Sequence, residues 1–382
     1  MDDRPLIAGA GPTGLAAALF LRRAGVPVQL IDARREPAPH SRALAVNPRT
    51  LELLEPTGVT AAMLQHGRRI GGACVHRGGR VVARLPFDAV HPRFPFMLAL
   101  SQAASERLLA AALRAAGGEI ERGVALRTCR PDGDGVGVEL TAADGSVTAR
   151  RAPWLLGADG AHSTVRQQLA VAFAGDTLER QWHLVDVPLR TDLDPDRAHV
   201  VLMAGGGFRF LLPVLGDGEA PDRPGDAPLW RVLGDAEDPL AALEADGIRA
   251  AAAAPPVWRS SFHIAHRLAA SLQRGRVFLA GDAAHLHSPV GARGMNLGVE
   301  DAWVFAQLVR RRELDRYDAL RRPVDGRVVR RVRTVSRMAQ SRSPLLRAGR
   351  AALLPLLLRV PFARAFVART VSGMDHPLPT LA

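Results

Sequence analysis

Residues 5–32 read PLIAGAGPTGLAAALFLRRAGVPVQLID. The apolar run at 5–9, with Leu6 and Ile7, reads as a buried strand. Gly9-Ala10-Gly11-Pro12-Thr13-Gly14 is a glycine turn, and a helix is expected from about Leu15 to Ala24, stopped by Gly25. Val28 to Ile31 makes a second short strand, closed by Asp32. Strand, turn, helix and strand in ~30 residues is the shape of a dinucleotide fold, so the chain is read as α/β. Each glycine has a task. Gly9 permits the tight turn, Gly11 lets the backbone approach a pyrophosphate, and Gly14 lets helix and strand pack closely. The phosphate then meets the free N–H groups at the helix start. Asp32 lies 18 residues after Gly14, where a carboxylate accepts from a ribose 2′-OH, with Ala33 and Arg34 beside it. A chance match in an Ala/Gly-rich chain is the bland alternative. The strand before, the helix after and the acid in place decide against it.

Two further motifs stand downstream. Gly157-Ala158-Asp159-Gly160-Ala161-His162-Ser163-Thr164-Val165-Arg166 follows the apolar strand Trp154 to Leu156. Taken alone, it reads equally well as a strand–turn–helix junction with Asp159 as a cap. The third is the most specific. Arg276-Val277-Phe278-Leu279-Ala280-Gly281-Asp282-Ala283-Ala284-His285 leads to Ser288-Pro289, Gly291, Gly294-Met295-Asn296-Leu297-Gly298 and Asp301-Ala302. Asp282 falls at the carboxyl edge of a strand, where ligands sit in α/β sheets. A Pro/Gly-rich loop then runs into a helix near Met295, whose positive end suits a negatively charged ring.

Between these motifs the pattern changes. Residues 100–116 read as a helix with Leu108, Leu109, Ala112 and Leu113 on one face. Residues 136–150 read as a hairpin turning at Asp144-Gly145. From about 172 to 262, short apolar strands (Val185 to Leu189, Val200 to Met203, Phe208 to Val214, Leu229 to Leu233) alternate with Gly/Pro/Asp-rich loops, the longest at 216–228. The expected division is a discontinuous dinucleotide-binding domain over 1–72, 98–170 and 265–323. A mainly β substrate domain covers 73–97 and 171–264, and a helical C-terminal segment 324–382. There are no internal repeats.

Composition removes other classes. The chain has 382 residues, 47% hydrophobic, room for two to three domains. Its formal charge is +12, yet it contains no lysine. The arginines are scattered among 38 acidic residues, and only Arg310 to Arg350 is markedly basic, so no nucleic-acid partner is expected. Cys74 and Cys129 lie far apart without metal or redox spacing, so neither a disulfide nor a metal site is expected. The opening Asp2-Asp3-Arg4-Pro5 is no secretory leader, no run approaches the ~18 apolar residues of a membrane span, and a cytoplasmic location is expected. The stretch from Ser343 to Thr370 mixes apolar residues with arginine. A helix pair packed on the body is expected, with a membrane-surface or lipophilic-substrate lid (343–370) as the alternative.

The three motifs together, in this order and spacing, resemble the flavoprotein monooxygenases of the p-hydroxybenzoate hydroxylase fold, over about residues 5–330. The pattern from His285 to Ala302 is similar to the phenol and polyketide hydroxylases of that group, whereas the short tail is similar to ubiquinone-type hydroxylases. The resemblance implies a Rossmann-like FAD-binding domain with an inserted β domain, FAD as cofactor, and NADH or NADPH as reductant. It implies oxygen transfer from a C4a-hydroperoxyflavin to an aromatic or polyketide-like small molecule, in a monomer or homodimer. Position by position, Gly9, Gly11, Pro12, Thr13, Gly14, Asp32, Ala33 and Arg34 would hold the ADP half. Arg42 would lie beside the pyrophosphate, Gln102 near the ribityl chain, and Asp159 with Gly160 between FAD and the nicotinamide cofactor. Gly281 and Asp282 would meet the ribityl chain, and Pro289 the reactive edge of the ring. Gly294, Met295 and Asn296 would offer backbone N–H groups to its pyrimidine end.

Two departures from the family pattern matter. The loop usually reads Gly-Gly-Gln-Gly; here it is Gly291-Ala292-Arg293-Gly294. The one tyrosine, Tyr317, falls on a late helical segment and reads as structural, so a histidine is the substitute acid–base group. Pro289, Arg42, Arg293 and His263 are carried as candidate catalytic residues. His183, His199, His285 and His287 are set lower, as structural or surface groups, and so is Arg209, which could meet an acidic substrate but stands in an arginine-rich chain. Two alternatives remain: a flavin-dependent reductase or dehydrogenase on the same fold, and a catalytically inactive FAD-binding partner subunit. The loop at 292–293 is the only support for the latter.

Overall fold

The strand Leu6–Ala8 is central to a six-stranded sheet ordered Gln273–Arg274, Val277–Leu279, Leu155–Gly157, Leu6–Ala8, Gln29–Asp32, Glu121–Arg122 in a computed structural model that describes residues 4–38, 44–203, 207–214, 227–340 and 358–380. All its pairs are parallel except the outermost, Gln273–Arg274 with Val277–Leu279. The three middle strands are buried throughout, or nearly so, as parallel strands covered on both faces must be. The helix Pro12–Arg23 starts three residues earlier than periodicity suggests, because Gly11 is its cap and Pro12, with its fixed φ, occupies the first turn. It packs against the helices Arg293–Arg311 and Gln102–Ala115. Ser101 caps the latter by accepting from the Ala104 N–H at 3.1 Å.

The hairpin at 136–150 is present as Gly135–Ala142 and Val147–Ala152. A third strand, Val124–Asp132, completes it. That strand escapes the sequence pattern because only Leu126 and Cys129 of its nine residues are buried. Cys74 and Cys129 are both free and buried.

The second large sheet runs His285–Leu286, Trp258–Ala269, Phe173–Thr191, Leu229–Gly234, Phe208–Pro213, Ala198–Leu202, Gly72–Arg77, Arg80–Pro86, with Ala250–Ala252 paired beside Phe173–Thr191. The four short strands anticipated between 185 and 233 are here, while the anticipated loop at 216–228 falls largely outside the described residues. Trp258–Ala269 and most of Phe173–Thr191 were not legible. Their long polar alternation resembles a loop until the two pair with each other. Alternation gives this sheet two faces. One carries Val75, Leu202, Phe210, Leu184, Trp182 and Phe262. The other carries Val201, Leu211, Trp230, Val232 and Val187, covered by Leu243 and Ile248. The edge strand His285–Leu286 belongs to the third motif, so that motif is hydrogen-bonded directly to the β sheet.

The C-terminal helix begins at Tyr317 and runs to Gln340, earlier than the expected 324. A further helix spans Pro361–Val371. Of the stretch proposed as a helix pair or membrane lid, 343–357 lies outside the described residues; in the rest, Phe362 and Phe366 are 83% and 53% exposed. No helix among the described residues is long and apolar enough to cross a membrane.

Tyr317 is fully buried, edge-on to Phe278 and Phe305, and its hydroxyl donates to the Leu279 carbonyl at 3.1 Å. It is structural, as the sequence suggested. Tyr317→Phe keeps the ring and removes one buried donor. It is expected to lower unfolding free energy by about 1 kcal/mol, read as a lower urea midpoint with unchanged m-value.

Candidate functional site

The glycine turn is held from below. Gly9 has φ +102°, and a side chain there would collide with the Ala158 carbonyl. Its N–H donates to Ile31 O at 2.8 Å, and Ala158 N–H to Ala8 O at 2.8 Å. Asp32 stiffens the same turn, accepting from Ala10 N–H at 2.7 Å through Oδ2 and from Arg34 N–H at 2.8 Å through Oδ1. The opposite side is open: a Cβ built on Gly11 meets nothing within 4 Å. Open space in front of unsatisfied helix N–H groups is the shape a pyrophosphate needs.

Thr13 has an unexpected task. A methyl group on Gly281 would sit 2.5 Å from Thr13 Oγ1, and one on Gly298 would collide with the same atom. The first motif is thus seated directly on the third. Asp159 accepts from Val165 N–H at 3.0 Å through Oδ2, while Oδ1 is buried without a partner. Ser163 is the N-cap of the following helix, accepting from Arg166 N–H at 3.0 Å, and Asp159 takes a second first-turn N–H, that of Val165. Arg166, which the sequence reading passed over, donates to Ala283 O and Ala161 O at 2.9 Å each and so ties the second motif to the third.

Asp282 is exposed although protein surrounds it, the condition of a group on the wall of a deep cleft. Burial raises its pKa, with the charge of His285 pulling the other way. Behind it is a sealed charge cluster. Asp301 accepts from Gly281 N–H at 3.0 Å, from His285 Nε2 at 2.8 Å and from Arg321 Nε at 2.6 Å. Arg321 also donates to Asp325 at 2.9 Å. His285, Asp301 and Asp325 are the one group of potential metal ligands among the described residues, but the guanidinium of Arg321 already lies among them. Burial opposes the charge on His285, yet Asp301 and Asp325 outweigh it and raise its pKa to about 9. Burial pushes Asp325 up to about 7, so Asp301 carries the firm negative charge.

The loop after Pro289 is unusual. Ala292 has φ +50° and ψ +40°, left-handed, a conformation that costs an L-residue about 1–2 kcal/mol. Asn296 is fully buried, and its side chain accepts from Asn47 N–H at 2.9 Å and donates to Ala45 O at 2.9 Å and Ala292 O at 2.6 Å. The Asn296 side chain therefore locks the loop, leaving only backbone N–H groups for a ligand. Arg293 does not face the open side. It is buried and donates to Thr370 O at 2.8 Å, with Asp375 at 2.9 Å. The charge that replaces the family glutamine is committed to the tail.

Several candidates lie elsewhere. His263 is exposed, on the face of its strand opposite Phe262 and Ile264, because alternation turns odd-numbered side chains away from that apolar layer. His183 and His199 share the far face; His199 bonds His76 at 2.9 Å and the Asp194 carbonyl at 2.9 Å. Arg209 is buried there against Asp246. His287 is half-buried, and burial pushes its pKa down to about 3, so it stays neutral. Gln102 donates to Glu106 at 2.7 Å. Ala33 and Arg34 are exposed at the end of the second strand, and Arg42 lies outside the described residues.

Open space at Gly11, an orphaned buried oxygen on Asp159 and the cleft carboxylate of Asp282 together fit a dinucleotide cofactor. A family model described as FAD binding domain matches residues 4–332. The chain belongs to that family. It is 39% identical to the 6-methylpretetramide 4-monooxygenase of Streptomyces rimosus over 395 residues, 97% of this chain and 68% of that protein. The solved anhydrotetracycline hydroxylase of Streptomyces rimosus is 29% identical and superposes with a TM-score of 0.76 over 99% of this chain and 77% of the other. The p-nitrophenol 4-monooxygenase of Pseudomonas putida, 24% identical, shares the fold at a TM-score of 0.82 over 98% of both chains. The protein is an FAD-dependent monooxygenase of the p-hydroxybenzoate hydroxylase fold.

His285 supplies the test of the buried cluster. Its folded pKa lies above the ordinary value of 6.5, at about 9. Its stabilising contribution is therefore full below 6.5, declines as pH rises toward 9 and is gone above it. The melting temperature of the monooxygenase should fall over that window. His285→Gln should have a lower melting temperature at pH 6 and a flatter profile up to pH ~9.5, measured by scanning calorimetry.

Proposed function

We propose that this monooxygenase oxygenates a flat, largely apolar aromatic or polyketide-like molecule held between the 289–296 loop and the face of the β sheet that carries Leu202, Phe210 and Phe262. The observation that carries this reading is the composition of that face. Val200, Leu202, Phe210, Leu229 and Phe262 are only partly buried there. Ala292 of the loop and Val367 and Val371 of the last described helix pack against the same cluster as Leu202 and Phe210. A partly uncovered apolar face beside a cofactor cleft is the ordinary form of a small-molecule site. Its charges are closed on each other: Asp186 and Arg231 are buried and form a bidentate pair at 2.8 and 2.7 Å.

FAD, when bound, supplies the reduction by NADH or NADPH and the activation of O₂. The chain's own work is to hold, orient and seal. Gly9, Gly11, Pro12, Thr13 and Gly14 would form the pyrophosphate cradle. Asp32 would take the adenosine ribose, Asp159 and Asp282 the hydroxyl-bearing linker, and the N–H groups of Met295 and Asn296 the pyrimidine edge at a helix start. Pro289 would border the reacting edge. With Tyr317 walled off and His263 on the wrong face, neither deprotonates the substrate. The proposed division keeps domain boundaries near 72, 97, 170, 264 and 323, with the β sheet supplying the substrate wall, although the strand Trp258–Ala269 and the helix Tyr317–Gln340 run across two of them.

The deciding experiment is NADPH or NADH consumption by the purified FAD-loaded enzyme across phenols and polyketide aromatics, with ¹⁸O₂ incorporation read by mass spectrometry. Stimulated consumption with one ¹⁸O atom in the product is expected. Reduced product without label sinks the reading in favour of a reductase, and no stimulation by any member in favour of an inactive partner. Independently, Gly11→Val fills the open side of the cradle. FAD affinity should fall by at least about a hundredfold, the loss of more than one charge-assisted hydrogen bond, while the far-ultraviolet circular dichroism stays unchanged.

A further inference from the structure

The left-handed Ala292 needs something to hold it. A Cβ makes this conformation unfavourable, and a loop of Gly291-Ala292-Arg293-Gly294 relaxes unless neighbours over-determine it. Two fasteners meet there. Asn296 grips the Ala292 carbonyl from inside at 2.6 Å. Arg293 grips from outside, through Thr370 O and the Asp375 carboxylate. Asp375 is itself anchored, with Arg331 of the long helix and His376 Nδ1 at 3.2 Å. His376 continues to Glu300 at 2.7 Å, and Arg49 donates to the His376 carbonyl at 2.7 Å. Glu300 belongs to the same helix as Arg293, so the segment from Thr370 to His376 straps that helix at its first and second turns. Burial opposes the charge on Asp375, but the hydrogen bond with His376 and the charges of Arg293, His376 and Arg331 hold the carboxylate well below its usual range.

We propose that Asp375 is a positioning residue for the flavin: through Arg293 it holds the 291–294 turn, strained Ala292 included, in the shape that presents the start of the Arg293–Arg311 helix to the isoalloxazine. Arg293 is thus part of the holding device and not a charge placed on the ring. The inference rests on the flavin site proposed above, and the failure of that site is visible separately, as wild-type protein that does not retain FAD.

The test is an FAD titration of apoenzyme by flavin fluorescence, with peroxide released per NADPH on the reconstituted enzyme as a second readout. Asp375→Asn and Arg293→Gln are each expected to weaken FAD binding about tenfold, the size of one charge-assisted hydrogen bond, and to raise peroxide release. The double variant should be no worse than either single one, because both cut the same link. Ala292→Gly removes the strain, and in the Asp375→Asn background it should recover FAD affinity to within about threefold of wild type. Arg331→Gln cuts the other ion pair of Asp375 at a half-exposed site and should change FAD affinity less than about twofold. Fully additive single effects, no recovery with Ala292→Gly, or an Arg331→Gln loss equal to that of Arg293→Gln would each overturn the proposal. In those cases the tail contributes only general stability.

Discussion

The carboxylate of Asp301 is the group on which the arrangement depends. It is fully buried, and it takes the Gly281 N–H, His285 and Arg321 at once. A buried charge is tolerated only when its lone pairs are met and an opposite charge is at hand. Here the partners come from three parts of the chain: the end of the Val277–Leu279 strand, the edge strand of the β sheet, and the Tyr317–Gln340 helix. Meeting that one requirement fixes where the strand ends, where His285 turns into the second sheet, and how the last long helix lies on the first domain. Asp282, one residue from Gly281, inherits its place on the cleft wall from this anchoring.

The same logic extends outward by close contacts. Thr13 seats the first glycine turn against Gly281 and Gly298, with no room for a side chain at either. Arg166 ties the second motif to the Ala283 carbonyl. The three motifs, spread over more than 280 residues of chain, are therefore joined by direct contacts. Rigid placement of donors before the ligand arrives is what makes such a site effective, because no reorganisation is needed during turnover.

The site also shows how substitutions at the ring loop are absorbed. The family glutamine is replaced by Arg293, yet the new charge is turned away and paired with Asp375. The family glycine is replaced by Ala292, and the left-handed conformation is retained at some energetic cost. The fold persists, and Arg293 joins the loop to the tail through Thr370 and Asp375.

The sequence alone determined the parts governed by local chemistry. Gly9, Gly11 and Gly14 reveal the dinucleotide turn because backbone conformation and close approach select glycine whatever surrounds them. Asp282 at a strand end and the helix start after Gly294 were legible for the same reason, and Tyr317 was recognised as structural from its helical setting. The tertiary structure decided what depends on partners distant in the chain. Arg321 and Asp325 carry no motif, and Asp375-His376 looks like any polar tail, yet Arg321, Asp375 and His376 pair with the buried charges of the Arg293–Arg311 helix. His263 was attractive by pKa alone, and only pairing in the sheet assigned its face. Charge pairing and side-chain direction are properties of the packed chain, set by burial and strand register, and no window of sequence around one residue contains them.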